Sequence, residues 1–229
     1  MKNKVEIIPA ILPHDWHEIM EKIERIKGLA TTVQIDICDG HFVPTFTWPY
    51  KKKDDNFDHL IHEEEGLPGW EELDFEFDLM VDKPEEAVEG WVAAGATRII
   101  LHAEAKGDLA KAVQMLQGRV EVGLALNIDT PIEMIQDSRF KIHEGGVQFI
   151  QLMGIDHIGF QGQEFDDKVV GRVKQVRLTH PGLPISIDGG VSLKSAPALI
   201  AAGADRLVVG SAIFNEENAV EAFHKFQNL

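Results

Sequence analysis

Along this chain, strand-like apolar runs alternate with helix-like segments eight times without a break, and few folds accept such a pattern. Val5 to Leu12 is an apolar run, and His14 to Lys27 follows with Trp16, Ile19, Met20, Ile23 and Ile26 at helical spacing. Val33 to Cys38 opens the second unit. Behind it comes an irregular segment, Asp39 to Gly69, with the charged run Lys51 to Asp55 and a short helix expected over Phe57 to Glu65. Leu73 to Val81, Pro84 to Ala94 and Thr97 to His102 read as strand, helix with proline at its start, and strand. Leu109 to Leu116, Val120 to Leu126, Pro131 to Gln136, Val147 to Met153 and Phe165 to Thr179 continue the alternation; Pro184 to Ile187, Leu193 to Ala202, Arg206 to Val209 and Asn215 to Phe226 end it. With no linker or shift in composition, residues 1–229 read as one domain carrying an enlarged segment, about 45–72, between strands two and three. The alternation predicts a single-domain α/β fold, the (β/α)8 TIM barrel, with a doubly wound open sheet as the alternative.

The second strand is unusual. In V-Q-I-D-I-C-D-G-H-F-V-P, Val33 to Pro44, the apolar Val33, Ile35 and Ile37 share one face at period two, and Gln34, Asp36 and Cys38 share the other. If both faces are covered, Asp36 must be paired, metal-bound or employed in chemistry, because an isolated buried carboxylate is costly. The plainer reading is an Asp that caps a turn at a strand end. Against it stands recurrence: Glu76 and Asp78 share one face of strand three, and Asp188 ends strand seven. In a barrel these strand ends converge on one rim, where the chemistry of such folds is placed.

Glycines cluster in the last third. Gly159 and Gly162, the pair Gly189-Gly190, and Gly210 before Ser211 follow strands six, seven and eight. Barrels commonly bind phosphate there on backbone N–H groups, although strand-to-helix turns also call for glycine on conformational grounds alone. Such a local site matters here because the formal net charge is -16. A surface that acidic repels nucleic acid, so an anionic substrate needs backbone donors to override the average field. The single cysteine, Cys38, excludes an intrachain disulfide framework and fits a reducing compartment. Behind the lysines of Met1 to Lys4 there is no apolar run of signal-peptide length, and no stretch long enough to span a membrane, so a cytoplasmic location is expected.

These residues carry a family resemblance. P-A-I-L at Pro9 to Leu12, D-G-H-F-V-P at Asp39 to Pro44, D-L-M at Asp78 to Met80, A-A-G-A-T at Ala93 to Thr97 and H-A-E-A at His102 to Ala105 resemble the ribulose-phosphate 3-epimerases. So do G-F-Q-G-Q at Gly159 to Gln163, I-D-G-G-V at Ile187 to Val191 and G-S-A-I-F at Gly210 to Phe214. The resemblance runs nearly end to end. It implies a (β/α)8 barrel acting on a small phosphorylated sugar, D-ribulose 5-phosphate and D-xylulose 5-phosphate, in the pentose phosphate pathway. It also implies inversion next to the carbonyl through an enediolate, and a homo-oligomer. Asp36 and Asp188 match the family's acid-base pair, and Met80 and Met153 match methionines that wall its site.

The departures are informative. Two residues before the first acid-base Asp, and again before L-M in strand three, the family has histidines that bind a divalent metal with the two aspartates; here these positions are Gln34 and Asp78. The remaining donors, Asp36, Asp78, Asp188 and Gln34, suit Mg2+ or Mn2+ better than Zn2+. Without a cation, such carboxylates require a strongly raised pKa. Cys38 stands for the family's methionine before D-G, Ala10 for a serine after the first proline, and Gln161 for a glycine in a loop, Asp156 to Gly162, one residue longer than the family's. His41, His102 and His157 fall near the expected rim as substrate contacts or as hydrogen-bonded structural residues. Three functions remain open: an epimerase of ribulose 5-phosphate or another ketose phosphate, a sugar-phosphate decarboxylase, and a catalytically silent sugar-phosphate binder. The decarboxylase would want Asp-x-Lys on strand three, where the chain has Glu76-Phe77-Asp78.

Overall fold

Eight parallel strands pair in chain order and close on themselves, β1 against β8. They are β1 (Glu6–Ile11), β2 (Thr32–Cys38), β3 (Asp74–Met80), β4 (Arg98–His102), β5 (Glu121–Leu126), β6 (Phe149–Met153), β7 (Ile185–Asp188) and β8 (Arg206–Val209). The closed sheet is the (β/α)8 barrel, and the open sheet is excluded. This structure, a computed structural model, describes residues 4–52, 54–140, 142 and 145–229; Lys53 of the charged run and the first three residues of the amino-terminal stretch lie outside them.

Alternation along each strand separates two cores. Val33, Ile35 and Ile37 face outward into the large layer beneath the helices, with Ile19, Ile23 and Ile26 of α1 (Trp16–Ile26). Gln34, Asp36 and Cys38 face the barrel axis, where all three are buried. Each helix meets the barrel where its sequence allows. Asp15 caps α1 by accepting from the Glu18 N–H at 3.0 Å. Between β2 and β3 lies α2 (Asp55–Ile61), and α3 (Pro84–Ala93) starts on its proline. After β5 the expected helix over Pro131 to Gln136 is replaced by two 3-10 turns, Ile132–Gln136 and Ser138–Phe140. Pro131 sets the entry, and the two buried anchors, Ile132 and Ile135, recur at spacing three, which suits a 3-10 turn in which i and i+3 eclipse.

The stretch ahead of α2 drives Trp48, 1% exposed, under the helices, where its ring meets Trp16, Phe57 and Trp91 at centroid distances of 5.2, 5.7 and 5.9 Å. Among the described residues no helix is long and apolar enough to cross a membrane.

The amino-terminal mouth of the barrel is filled by charge. Arg98 meets Glu121 at 2.9 Å and Glu6 and Glu76 at 3.4 Å, and Arg206 meets Glu121 at 2.9 Å and Glu6 at 3.3 Å. Arg206 also stacks over the Phe149 ring at 4.6 Å. Glu76 therefore belongs to this floor. The expectation that it joins the rim with Asp78 is corrected: one pleat repeat, about 6.6 Å, separates the two side chains along β3, and the arginines claim the lower one.

Candidate active site

Parallel register places the site's acids. Asp36 on β2 lies directly beside Asp78 on β3, and Cys38 beside Met80; on the far side, Met153 of β6 lies beside Asp188 of β7. One carboxylate oxygen from each of Asp36, Asp78 and Asp188 lies within 4.8 Å of the others. Like charges so close repel, and the surrounding side chains answer with donors. The Gln34 amide donates from Nε2 to Asp36 Oδ1 at 2.7 Å and to Asp188 Oδ2 at 3.0 Å. His102 Nε2 is 2.9 Å from Asp78 Oδ1, and the Phe42 ring tilts over the imidazole.

Burial, then the charges of Asp188 and Asp78, push the Asp36 carboxyl well above the ordinary carboxylate range. Burial and Asp78 push Asp188 up to about 7. Burial alone would lower the His102 imidazole, but Asp78 at its Nε2, with Glu104 and Asp188, offsets this and the net shift is upward. The Cys38 thiol is pushed up by burial and by Asp36, which leaves it an inert wall rather than a nucleophile.

A cavity opens above these carboxylates. It is lined by Asp36, Asp188, Met80 and Met153, by Ala10 of β1, and by all six of the loop residues Gly159, Gly162, Gly189, Gly190, Gly210 and Ser211. No lysine is among the lining residues, so the decarboxylase pattern is missing in space as well as in sequence. Two glycines have distinct reasons to be there. Gly189 has φ +97, and a Cβ would stand 2.7 Å from Ile155 Cγ1; Gly210 has ordinary φ but lies where a Cβ would meet the Ala10 carbonyl oxygen at 3.2 Å. The Gln161 amide sits beside Gly210 on the same cavity wall.

The D-G-H-F segment acts through its turn. Asp39 accepts from the N–H groups of His41, Phe42 and Asp82 at 2.8, 2.9 and 2.8 Å, and so ties the loops after β2 and β3 together. Thr47 pins the end of β2 by accepting from the Cys38 N–H at 2.8 Å. His41 lines a groove outside the cavity, and His157 is exposed beside Asp156; His102, below the rim, touches an acid of the cluster. Sequence reading missed Gln151 of β6, whose Nε2 reaches Asp78 Oδ2 at 3.3 Å and Asp188 Oδ2 at 3.4 Å. The signal was present, since F-I-Q-L-M puts a lone amide between Phe149 and Met153 on one strand face.

The three clustered carboxylates could hold a divalent cation. The Oε1 atoms of Gln34 and Gln151 are buried and have no hydrogen-bond partner among the described residues, so the donor set has unused oxygens of the hard kind that such ions take.

A sequence model described as the ribulose-phosphate 3 epimerase family matches residues 6–214. The ribulose-phosphate 3-epimerase of Bacillus subtilis is 30% identical, with 97% of this chain and 98% of that protein covered. That of Chlamydia trachomatis is 32% identical over 95% and 89%, and the cytoplasmic isoform of rice 28% over 91% and 87%. Among solved structures, the barrel resembles KGPDC from Streptococcus mutans in a ligand complex, with a TM-score of 0.72 at 12% identity over 99% and 97% of the two chains. It also resembles a 3-hexulose-6-phosphate synthase, with a TM-score of 0.65 at 20% identity over 97% and 98%. The structural likenesses speak for the fold; the sequence matches go further and make this chain a member of the ribulose-phosphate 3-epimerase family, isomerases that act on carbohydrate phosphates.

Proposed function

We propose that the chain interconverts D-ribulose 5-phosphate and D-xylulose 5-phosphate by carrying protons between the sugar and two carboxylates, Asp36 and Asp188. The observation that carries this reading is that these two side chains, from β2 and β7, line one cavity and lie within 4.8 Å of each other. Inverting a carbon beside a carbonyl requires removal of a proton from one face of the sugar and return of a proton to the other. Each carboxylate serves as base in one direction and as acid in the other. That exchange needs groups able to hold or release a proton near neutral pH, and burial of both, with Asp188 at about 7, supports it.

Met80 and Met153 wall the reacting carbons with apolar surface and exclude water. Backbone N–H groups of the loops bearing Gly159, Gly162, Gly189, Gly190, Gly210 and Ser211 take the phosphate, which the acidic surface would otherwise repel. Asp36, Asp78, Asp188 and Gln34 would hold the divalent cation, and this oxygen-rich set favours Mg2+ or Mn2+ over Zn2+. Bound there, the ion neutralises charge that develops on the sugar oxygens.

The second reading, a catalytically silent sugar-phosphate binder, draws on the loss of both imidazoles at Gln34 and Asp78. Deuterium entry at carbon 3 of D-ribulose 5-phosphate in deuterated water, followed with and without Mg2+, Mn2+ or Zn2+, separates the two. Exchange with net xylulose 5-phosphate, lost by at least about 10²-fold in both Asp36→Asn and Asp188→Asn, is expected. Absence of any exchange with every cation, on this and on other ketose phosphates, leaves only the binder. Running the same assay on other ketose phosphates settles the sugar. A cytoplasmic setting is supported by the rice relative's name. Self-association is inferred from the family resemblance, and the segment about 45–72, with Phe46, Tyr50 and Trp70 exposed, is taken as an enlargement within one domain spanning 1–229.

A further inference from the structure

Gln151 is fully buried on the inner face of β6, yet it belongs neither to the acid-base pair nor to the phosphate loops. It lies between Ala125 of β5 and Ser186 of β7 in the strand register, with Phe149 and Met153 as its neighbours along the face. Packing alone would be served there by a leucine. A buried amide forfeits its water partners and is retained only where other partners replace them. The two N–H bonds of its Nε2 find Asp78 Oδ2 and Asp188 Oδ2 at 3.3 and 3.4 Å, while Oε1 has no partner among the described residues. Gln34 makes the same kind of clasp from the opposite wall, on Asp36 and Asp188. The carboxylates are thereby linked in one series, Asp36 to Asp188 through Gln34 and Asp188 to Asp78 through Gln151, with Asp78 held at its other oxygen by His102.

We infer that Gln151 is a positioning residue, whose amide fixes Asp188 relative to Asp78. A carboxylate at a strand end can rotate about its last bond; Gln34 and Gln151, both donating to Asp188 Oδ2, restrict that rotation together with the Gly189 N–H. The catalytic consequence rests on the epimerase reading, whereas the consequence for cation binding stands without it. A small misplacement of a reacting group costs up to about 10²-fold in rate, and loss of an outer partner of a metal ligand weakens the metal by about 10–100-fold.

Two variants test this. Gln151→Leu keeps the volume and removes the donors; Gln151→Glu keeps the shape, and as a carboxylate it only accepts, regaining a donor once protonated. The measurements are thermal unfolding, kcat and KM for D-ribulose 5-phosphate, and Mn2+ affinity by electron paramagnetic resonance. Gln151→Leu is expected to fold, to keep KM within about twofold, and to lose kcat and Mn2+ affinity each by about tenfold or more. Gln151→Glu is expected to lose activity at about pH 8 and to recover part of it, relative to wild type at the same pH, near about pH 5.5; Gln151→Leu shows no such recovery. Wild-type kcat and Mn2+ affinity in Gln151→Leu overturn the inference. Should that variant not fold, Gln151→Met, which removes the donors at similar length, takes its place, and wild-type kcat and Mn2+ affinity there do the same. A wild-type protein that binds Mn2+ but leaves ketose phosphates unchanged sinks the epimerase reading alone, provided Gln151→Leu still weakens Mn2+. A wild-type protein that does neither overturns both.

Discussion

Replacing Glu76 by glutamine changes one atom in the barrel floor and should remove a specific pH dependence. Glu76 is 0% exposed, its Oε2 accepts from Arg98 at 3.4 Å, and its Oε1 has no partner among the described residues. Burial raises its pKa from 4.5 to about 7, against the pull of Arg98 and Arg206. Between those two values the folded protein holds a proton that the unfolded chain has released, so stability falls as pH rises through the window and levels off above about 7. Taking 4.5 unfolded and about 7 folded, the two-state titration makes this group's contribution about 2–3 kcal/mol larger at about pH 5 than at about pH 8.

Asp36 and Asp188 shift in the same direction, so the slope of the wild type alone is not diagnostic. The difference between wild type and Glu76→Gln isolates the floor. Urea unfolding of both proteins at about pH 5 and about pH 8 should show a gap that moves by about 2–3 kcal/mol in favour of the variant on going to the higher pH. Glutamine also retains an acceptor for Arg98. A gap independent of pH, or one moving the other way, would refute the assignment of Glu76 as a buried acid kept largely neutral by desolvation, and with it the division of labour along β3.

Other expectations concern the site and its support. With Asp188 at about 7, kcat/KM in the direction that uses it as base should fall below neutral pH; a flat profile from about pH 5.5 to about 8.5 contradicts that role. Gln34→His places an imidazole among three carboxylates and should raise Zn2+ affinity relative to Mg2+ by about tenfold or more in competition titrations, following ligand softness. Gly189→Ala must hold φ +97 with its Cβ 2.7 Å from Ile155; a loss of about 1–3 kcal/mol in thermal unfolding and a raised KM are expected. Trp48→Ala removes a ring 1% exposed from the cluster with Trp16, Phe57 and Trp91, and should cost about 3–5 kcal/mol by denaturant titration.

The barrel was legible because its signals are local. Period-two alternation in β2 predicts two faces, and the structure buries both. Where the outcome depended on a competing local preference, the reading slipped: Ile132 and Ile135 fit one face of an α-helix on paper, yet their spacing of three was met by a 3-10 turn behind Pro131. Partners from other strands were harder to read. Glu76 and Asp78 are the same kind of residue on the same face of one strand, and nothing in β3 itself says that Arg98 and Arg206 wait below while His102 and Gln151 wait above. That information sits in the relative register of β3, β4, β6 and β8, which a list of residues does not contain.

Register also changes how the missing imidazoles should be weighed. Taken singly, Gln34 and Asp78 look like losses from a metal site, and the chain like a family member in decline. Placed among their neighbours, each has gained a partner: Gln34 donates to both acid-base candidates, Asp78 is met by His102, and Gln151 joins Asp78 to Asp188. A decaying site has no reason to keep two amides fully buried among carboxylates, each with an unsatisfied oxygen, at a cost of about 1–3 kcal/mol apiece. That cost, carried beneath a glycine-lined cavity, argues for a donor set that still has charge to manage.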